Sequence, residues 1–244
     1  MSPIDAIAFD LDGTLIDSAG GIAHALNTAL AGAGLAPFDP RTVRTWIGDG
    51  PDALIARALA ASAIAPNAVR GLAARLRDAF DAATLDAPMI GSRVFDGVGG
   101  VLAVLAPRHR LVVVTNKPTP LARAVLEAAG LLPFLSGVHG ADTAAQRKPS
   151  PLLIRQAADA LGLSAQRLLM IGDAPVDIAS AHAAGAQAAW AGWGYGHAPV
   201  PMPSAVWTLQ TPHDLLDRLP AAAGLAAETE DPRRAPCPQA ENPR

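Results

Sequence analysis

The stretch Ile4-Asp5-Ala6-Ile7-Ala8-Phe9-Asp10-Leu11-Asp12-Gly13-Thr14-Leu15 is a short apolar run that ends in two carboxylates and a glycine. An apolar run of this length, closed by a turn signal, reads as a buried β-strand entering a loop. Residues 111–114, ending in Thr115-Asn116-Lys117, and residues 168–171, ending in Gly172-Asp173, repeat the pattern. Weaker strand patterns lie at 186–191 and 205–209, and helical patterns at 98–105, 120–129, 151–161, 176–184 and 213–219. Ser150-Pro151 carries helix-opening chemistry, a capping hydroxyl before a first-turn proline. Strands alternating with helices imply an α/β fold whose parallel sheet is covered on both faces, a doubly wound, Rossmann-like core.

One segment breaks the alternation. From Asp17 to about Asp86 the patterns are helical throughout. Asp17-Ser18 caps a helix reaching Ala33, and Asp39-Pro40, Gly50-Pro51 and Pro66-Asn67 open others. An all-helical insertion directly behind the first strand is expected to form a cap over the sheet. The expected division is a core of residues 1–16 and 88–220, a helical cap of 17–87, and a tail of 221–244. The tail is rich in Ala, Pro, Glu and Arg without periodicity, and is expected to be disordered.

Composition narrows the function. The chain has 244 residues, of which 50% are hydrophobic, enough for a substantial core. Its net charge of -3, with no basic block, argues against nucleic acid as a partner, and 4% aromatics argues against a base-stacking platform. The one cysteine, Cys237, excludes an internal disulfide and a cysteine-rich metal site. The N-terminus lacks the pattern of a secretory signal, and no apolar run is long enough for a membrane helix, so a cytoplasmic location is expected.

In an open parallel sheet, ligands bind beyond the carboxyl ends of the strands. Those ends carry Asp10 and Asp12, then Thr115 and Asn116, then Asp173 with Asp177, while Lys148-Pro149 precedes the helix before the third strand. Acidic groups crowded together repel unless a cation neutralises them. Oxygen donors with no His or Cys cluster suit a hard ion, which points to Mg2+ as cofactor. A carboxylate can also attack phosphorus and form an acyl phosphate, provided a metal ion and an ammonium group offset the repulsion between two anions. Lys148 supplies that ammonium, and backbone amides after Asp12 can hold phosphate oxygens. Thr115 and Asn116 are expected to donate hydrogen bonds to the transferring group. Asp12 is placed to protonate the leaving oxygen and then deprotonate water.

Asp10-Leu11-Asp12-Gly13-Thr14-Leu15, Thr115-Asn116, Lys148-Pro149 and Gly172-Asp173-Ala174-Pro175-Val176-Asp177 together resemble the four ordered motifs of the haloacid dehalogenase-like phosphatases. The resemblance spans roughly residues 4–219. It implies that Asp10 is the nucleophile and a metal ligand, and that Asp12 is the acid and base and ligates through its main-chain carbonyl. It further implies that Asp173 is the second carboxylate on the metal, that Asp177 steadies the metal's waters, and that Thr115 and Lys148 hold the phosphate. Two departures stand out: Ala174, where serine is more usual, and His182, where arginine is expected.

Asp12 argues against a true dehalogenase, which has no leaving alkoxide to protonate. Lys117 and Lys148 are the only lysines, so the cap lacks the Schiff-base lysine of phosphonoacetaldehyde hydrolases. A sugar-phosphate mutase would need a basic cluster in the cap, where no clear one is found, and a phosphate-binding protein without turnover would not require Asp12. Val43-Arg44-Thr45-Trp46-Ile47-Gly48-Asp49-Gly50-Pro51 and Gly192-Trp193-Gly194-Tyr195-Gly196 resemble segments of bacterial phosphoglycolate phosphatases. The resemblance implies a small phosphorylated metabolite as substrate, 2-phosphoglycolate first, with another such metabolite, a sugar phosphate or pyrophosphate, as the alternative. Amides at Gly48 and Gly50, with Arg44, would hold its carboxylate. Asp49 stands against this expectation, because its charge would repel an anion.

Overall fold

The computed structural model describes residues 3–62, 71–199 and 201–219. Its centre is β1 (Ala6–Phe9), flanked by β4 (Arg110–Thr115) and β6 (Leu168–Gly172). With β5 (Gly137–Gly140), β7 (Gln187–Ala191) and β8 (Trp207–Leu209), they form a six-stranded sheet ordered β5-β4-β1-β6-β7-β8. All its pairings are parallel. Phe9 lies in register with Val113 and Ile171, so the ends of the three central strands are level. Strand order reverses beside β1, the place where such sheets leave a crevice.

Side chains alternate across the sheet as strand geometry requires. Ile7, Phe9, Val113 and Ile171 enter one core with α5 (Val98–Leu105) and α6 (Thr119–Ala128). Ala6, Ala8, Val112 and Met170 enter the other with α7 (Leu152–Ala160) and α8 (Pro175–Ala184). The expected doubly wound core is thus present. A final helix, α9 (Asp214–Arg218), adds Leu215 to the first core.

Among the described residues, four helices follow the first motif: α1 (Ala19–Gly32), α2 (Pro40–Arg44), α3 (Pro51–Ala61) and α4 (Leu72–Asp86). They share an apolar cluster built on Leu26, Leu30, Val43, Ile55, Leu76 and Phe80. Leu121 of α6 reaches into this cluster and joins it to the core. Burying a leucine fully contributes about 1.5–3 kcal/mol, so this one contact is a substantial anchor. The helix starts follow the sequence chemistry in two places. Asp39 accepts a hydrogen bond from Arg41 N at 2.7 Å ahead of α2, and Gly50, at φ 83°, turns the chain into Pro51 of α3.

Several expectations are corrected. Ser18 occupies the N-cap of α1 but makes no capping hydrogen bond. Helix α7 begins one residue later than the proline start implies; Ser150 Oγ accepts from Leu152 N at 3.3 Å. The helical segment is bounded by an antiparallel ribbon of β2 (Ile16–Asp17) and β3 (Arg93–Val94), whose two-residue strands carry no readable period. Edge strand β5 is Gly-Val-His-Gly, too poor in strand formers to announce itself. The helix opening at Pro66-Asn67, Cys237 and the tail of 221–244 lie outside the described residues. Among the described residues, no helix is long and apolar enough to cross a membrane.

Candidate active site

The level strand ends bring the motif residues to one place. Asp10 leaves β1 with its N–H bonded to Ile171 O at 2.8 Å, which fixes the carboxylate above the sheet. Lys148 comes from the loop before α7, and its side chain is 1% exposed. Its ammonium lies 2.8 Å from Asp10 Oδ1 and 2.6 Å from Asp177 Oδ1, and donates to Val114 O at 3.1 Å. Asp10 Oδ1 is buried, and the Lys148 ammonium is the charge set directly against it.

Asp173 is held from three sides. Thr14 Oγ donates to Oδ1 at 3.0 Å, and the amides of Tyr195 and Gly196 donate to Oδ2 at 2.7 and 3.3 Å. This explains the glycines of Gly-Trp-Gly-Tyr-Gly: a Cβ on Gly194 would overlap the Asp173 side chain. Gly13 is required for a related reason, since it turns at φ 92° directly against the same carboxylate. Asp177 Oδ2 accepts from Ala174 N at 3.0 Å, so the alanine that replaces the usual serine leaves this contact intact. His182 is exposed, away from this chemistry.

Electrostatics identify what the cluster lacks. Burial pushes the Asp173 carboxyl up, and the Asp10 charge adds to it. Burial likewise raises Asp177, to about 7, with the Lys148 ammonium pulling down and Asp10 pushing up. Burial alone would lower Lys148, but Asp10 and Asp177 outweigh it and hold the lysine above its ordinary range. One lysine does not neutralise three buried carboxylates. Asp10, Asp173 and Asp177 each place an oxygen within 4.8 Å of the others, a donor set that fits a divalent cation.

Asn116 has partners within the protein itself. Its amide nitrogen donates to Gly48 O at 2.8 Å and to Lys148 O at 3.4 Å, while Oδ1 accepts from Lys148 N at 2.7 Å. The side chain therefore ties the loop between α2 and α3 to the lysine loop, with one amide N–H committed to Gly48 O. Thr115 is 2% exposed beside Asp10, and its hydroxyl oxygen accepts from Lys117 N at 3.2 Å.

The helices close over this centre. Asp49 pairs with Arg57, which neutralises the charge expected to repel an anion. Asp52 pairs with both Arg77 of α4 and Arg147 beside Lys148. An inner cavity has Asp10, Asp12 and Thr115 as its floor and Ile22, Trp46, Ile47, Leu54 and Phe80 as its apolar roof. Gly48 and Gly50 line it as well. An outer cleft is bordered by Arg44, Asp173 and Tyr195. Arg44 itself is exposed and stacks 4.6 Å over the Tyr195 ring.

Sequence reasoning missed Lys117. Its ammonium contacts Asp12 Oδ2 at 3.0 Å and Oδ1 at 3.2 Å, and its side chain is only 6% exposed. Its place directly after Thr115-Asn116 was the available signal.

The comparisons agree with this geometry. Residues 4–185 match the model of the haloacid dehalogenase-like hydrolases. A phosphoglycolate phosphatase of Rhodospirillum rubrum is 43% identical over 192 residues, 74% of this chain and 76% of its own length. One of Yersinia pseudotuberculosis is 40% identical over 183 residues, 75% of this chain and 78% of that one. The crystal structure of a predicted phosphoglycolate phosphatase from Haemophilus somnus superposes with a TM-score of 0.78 at 29% identity, covering 90% of this chain and 99% of that one. By sequence motif, fold and kinship alike, the chain belongs to the haloacid dehalogenase-like hydrolases.

Proposed function

We propose that the protein is a Mg2+-dependent phosphomonoester hydrolase that forms an aspartyl-phosphate on Asp10, with 2-phosphoglycolate as its substrate. The observation that carries the chemistry is the buried Asp10 carboxylate, which faces the Lys148 ammonium at 2.8 Å and clusters with Asp173 and Asp177. The substrate reading is supported by the relatives, which are phosphoglycolate phosphatases at 40–43% identity over about three quarters of the chain.

The carboxylates of Asp10 and Asp173, with the main-chain carbonyl of Asp12, would hold Mg2+, and Asp177 stands behind them. When bound, the ion withdraws charge from the phosphoryl oxygens and lowers the repulsion between the two anions. Lys148 holds the Asp10 carboxylate in place and offers positive charge to the same oxygens, while the Thr115 hydroxyl donates to one of them. A carboxylate oxygen of Asp10 attacks phosphorus, the bond to the leaving oxygen breaks, and that oxygen takes the proton of Asp12. A water molecule then gives its proton to Asp12 and attacks phosphorus, which releases phosphate and frees Asp10. The apolar roof keeps other water away from the acyl phosphate. Arg44, at the outer cleft, and the main chain at Gly48 and Gly50 form the cap's side of the substrate path. The domain division expected from sequence, with 17–87 as a cap over 1–16 and 88–220, suits this arrangement, as does a cytoplasmic location.

Phosphate release from a panel of phosphorylated metabolites tests the reading. The highest kcat/KM is expected for 2-phosphoglycolate, with activity lost in chelator and restored by Mg2+. A flat profile across the panel would remove the substrate assignment, and full activity in excess chelator would remove the metal.

A further inference from the structure

Besides Lys148, which is held by Asp10 and Asp177, Arg44 and Lys117 border the spaces around Asp10, and they stand in different places. Arg44 lies on the outer cleft, whereas among the described residues Lys117 is the one cation that lines the inner cavity. The position of Asp12 decides which of them a leaving group meets. A proton donor acts within hydrogen-bond reach, about 2.6–3.2 Å, so the leaving oxygen must arrive at the Asp12 carboxylate. Lys117 Nζ already sits 3.0 and 3.2 Å from the two oxygens of that carboxylate. In 2-phosphoglycolate a single methylene separates the leaving oxygen from the carboxylate carbon. An oxygen seated on Asp12 therefore sets the substrate's carboxylate beside the Lys117 ammonium, under the roof of Trp46, Leu54 and Phe80. Desolvating a carboxylate in an apolar cavity is unfavourable without a partner of opposite charge.

We propose that Lys117 is the substrate-binding residue that recognises the carboxylate of the leaving group. This rests on the phosphoglycolate reading and assigns a group on this chain to its selectivity. Lys117 pairs with the Asp12 side chain before substrate arrives and turns to the substrate carboxylate afterwards, which frees Asp12 to take from solvent the proton that it gives to the leaving oxygen.

The test compares 2-phosphoglycolate with 2-hydroxyethyl phosphate, which keeps the leaving oxygen and the methylene but replaces the carboxylate by a neutral alcohol. Lys117→Met should lower kcat/KM for 2-phosphoglycolate roughly 10- to 100-fold more than for 2-hydroxyethyl phosphate, the usual range for a charge-assisted hydrogen bond. Most of that difference should lie in KM. Equal losses on both substrates would overturn the assignment and leave Lys117 as a support for Asp12. So would an Arg44→Ala variant that erased the preference while Lys117→Met kept it. A wild-type protein with no preference between the two compounds would sink the phosphoglycolate reading and this assignment together, whereas a preference retained by Lys117→Met would sink this assignment alone. If the variant turns over neither compound, calorimetric affinities for the same pair in Asp10→Asn and in Asp10→Asn/Lys117→Met decide the matter. An affinity ratio unchanged by the second substitution would overturn the proposal, and a collapsed ratio would uphold it.

Discussion

Replacing Asn116 by alanine separates a structural tie from a phosphate donor. The substitution deletes the bond to Gly48 O at 2.8 Å and the acceptor of Lys148 N at 2.7 Å; the contact to Lys148 O at 3.4 Å is too long to count. The Gly48 bond contributes about 0.5–1.5 kcal/mol, and the buried Lys148 amide left without an acceptor costs about 1–3 kcal/mol. A destabilisation of about 2–4 kcal/mol follows, which for a chain of this size lowers Tm by roughly 5–15 °C. Lys148 and the loop bearing Gly48 lose a common anchor, so turnover of 2-phosphoglycolate and of p-nitrophenyl phosphate should fall by the same factor. Thermal denaturation and steady-state kinetics on the purified variant supply both numbers. An unchanged Tm accompanied by abolished inhibition by inorganic phosphate would refute this reasoning and restore Asn116 as a donor to the transferring group.

Other substitutions probe the remaining parts of the site. Gly194→Ala drives a methyl group into Asp173, and the Mg2+ concentration for half-maximal activity should rise about 10- to 100-fold, as for other losses of ligand support; an unaltered Mg2+ titration would contradict it. Asp12→Asn should slow 2-phosphoglycolate by about 100- to 10,000-fold and p-nitrophenyl phosphate by much less, because a good leaving group needs little protonation; equal losses would exclude Asp12 as the acid. In metal-free protein the folded-state pKa values of Asp173 and Asp177 stand above the ordinary 3.8. The folded chain thus binds these protons more tightly than the unfolded chain. That contribution to stability is complete below the ordinary value and is lost as pH rises, up to about 7 for Asp177. Mg2+ favours the ionised forms, so the gain in Tm on adding it should grow between about pH 5 and about pH 8, and a gain independent of pH would count against the carboxylate site.

Much of this was legible in the chain because strand ends and motifs coincide. Asp10, Thr115 and Asp173 each end an unbroken apolar run, and a parallel sheet with its central strands in register must bring such ends together. The helical cluster was readable from its proline and Asx starts and from the absence of strand patterns. What was not legible depends on contacts between distant segments. Nothing in Thr115-Asn116-Lys117 tells that the amide turns to Gly48 or that the ammonium turns to Asp12. The charge of Asp49 read as an obstacle because its partner Arg57 lies on the next helix. Gly-Trp-Gly-Tyr-Gly was readable only as a resemblance, because the packing of Gly194 and Gly196 on Asp173 joins segments far apart in the chain.

The central claim is that phosphate passes through Asp10, and trapping the intermediate tests it most directly. Protein mixed with excess substrate and Mg2+ and quenched in acid within the first turnovers should yield a peptide spanning Asp10 with the added mass of one phosphoryl group. That mass should disappear on treatment with hydroxylamine, as an acyl phosphate requires, and should be absent from Asp10→Asn. Phosphate found on another residue, or undiminished turnover by Asp10→Asn, would contradict the account.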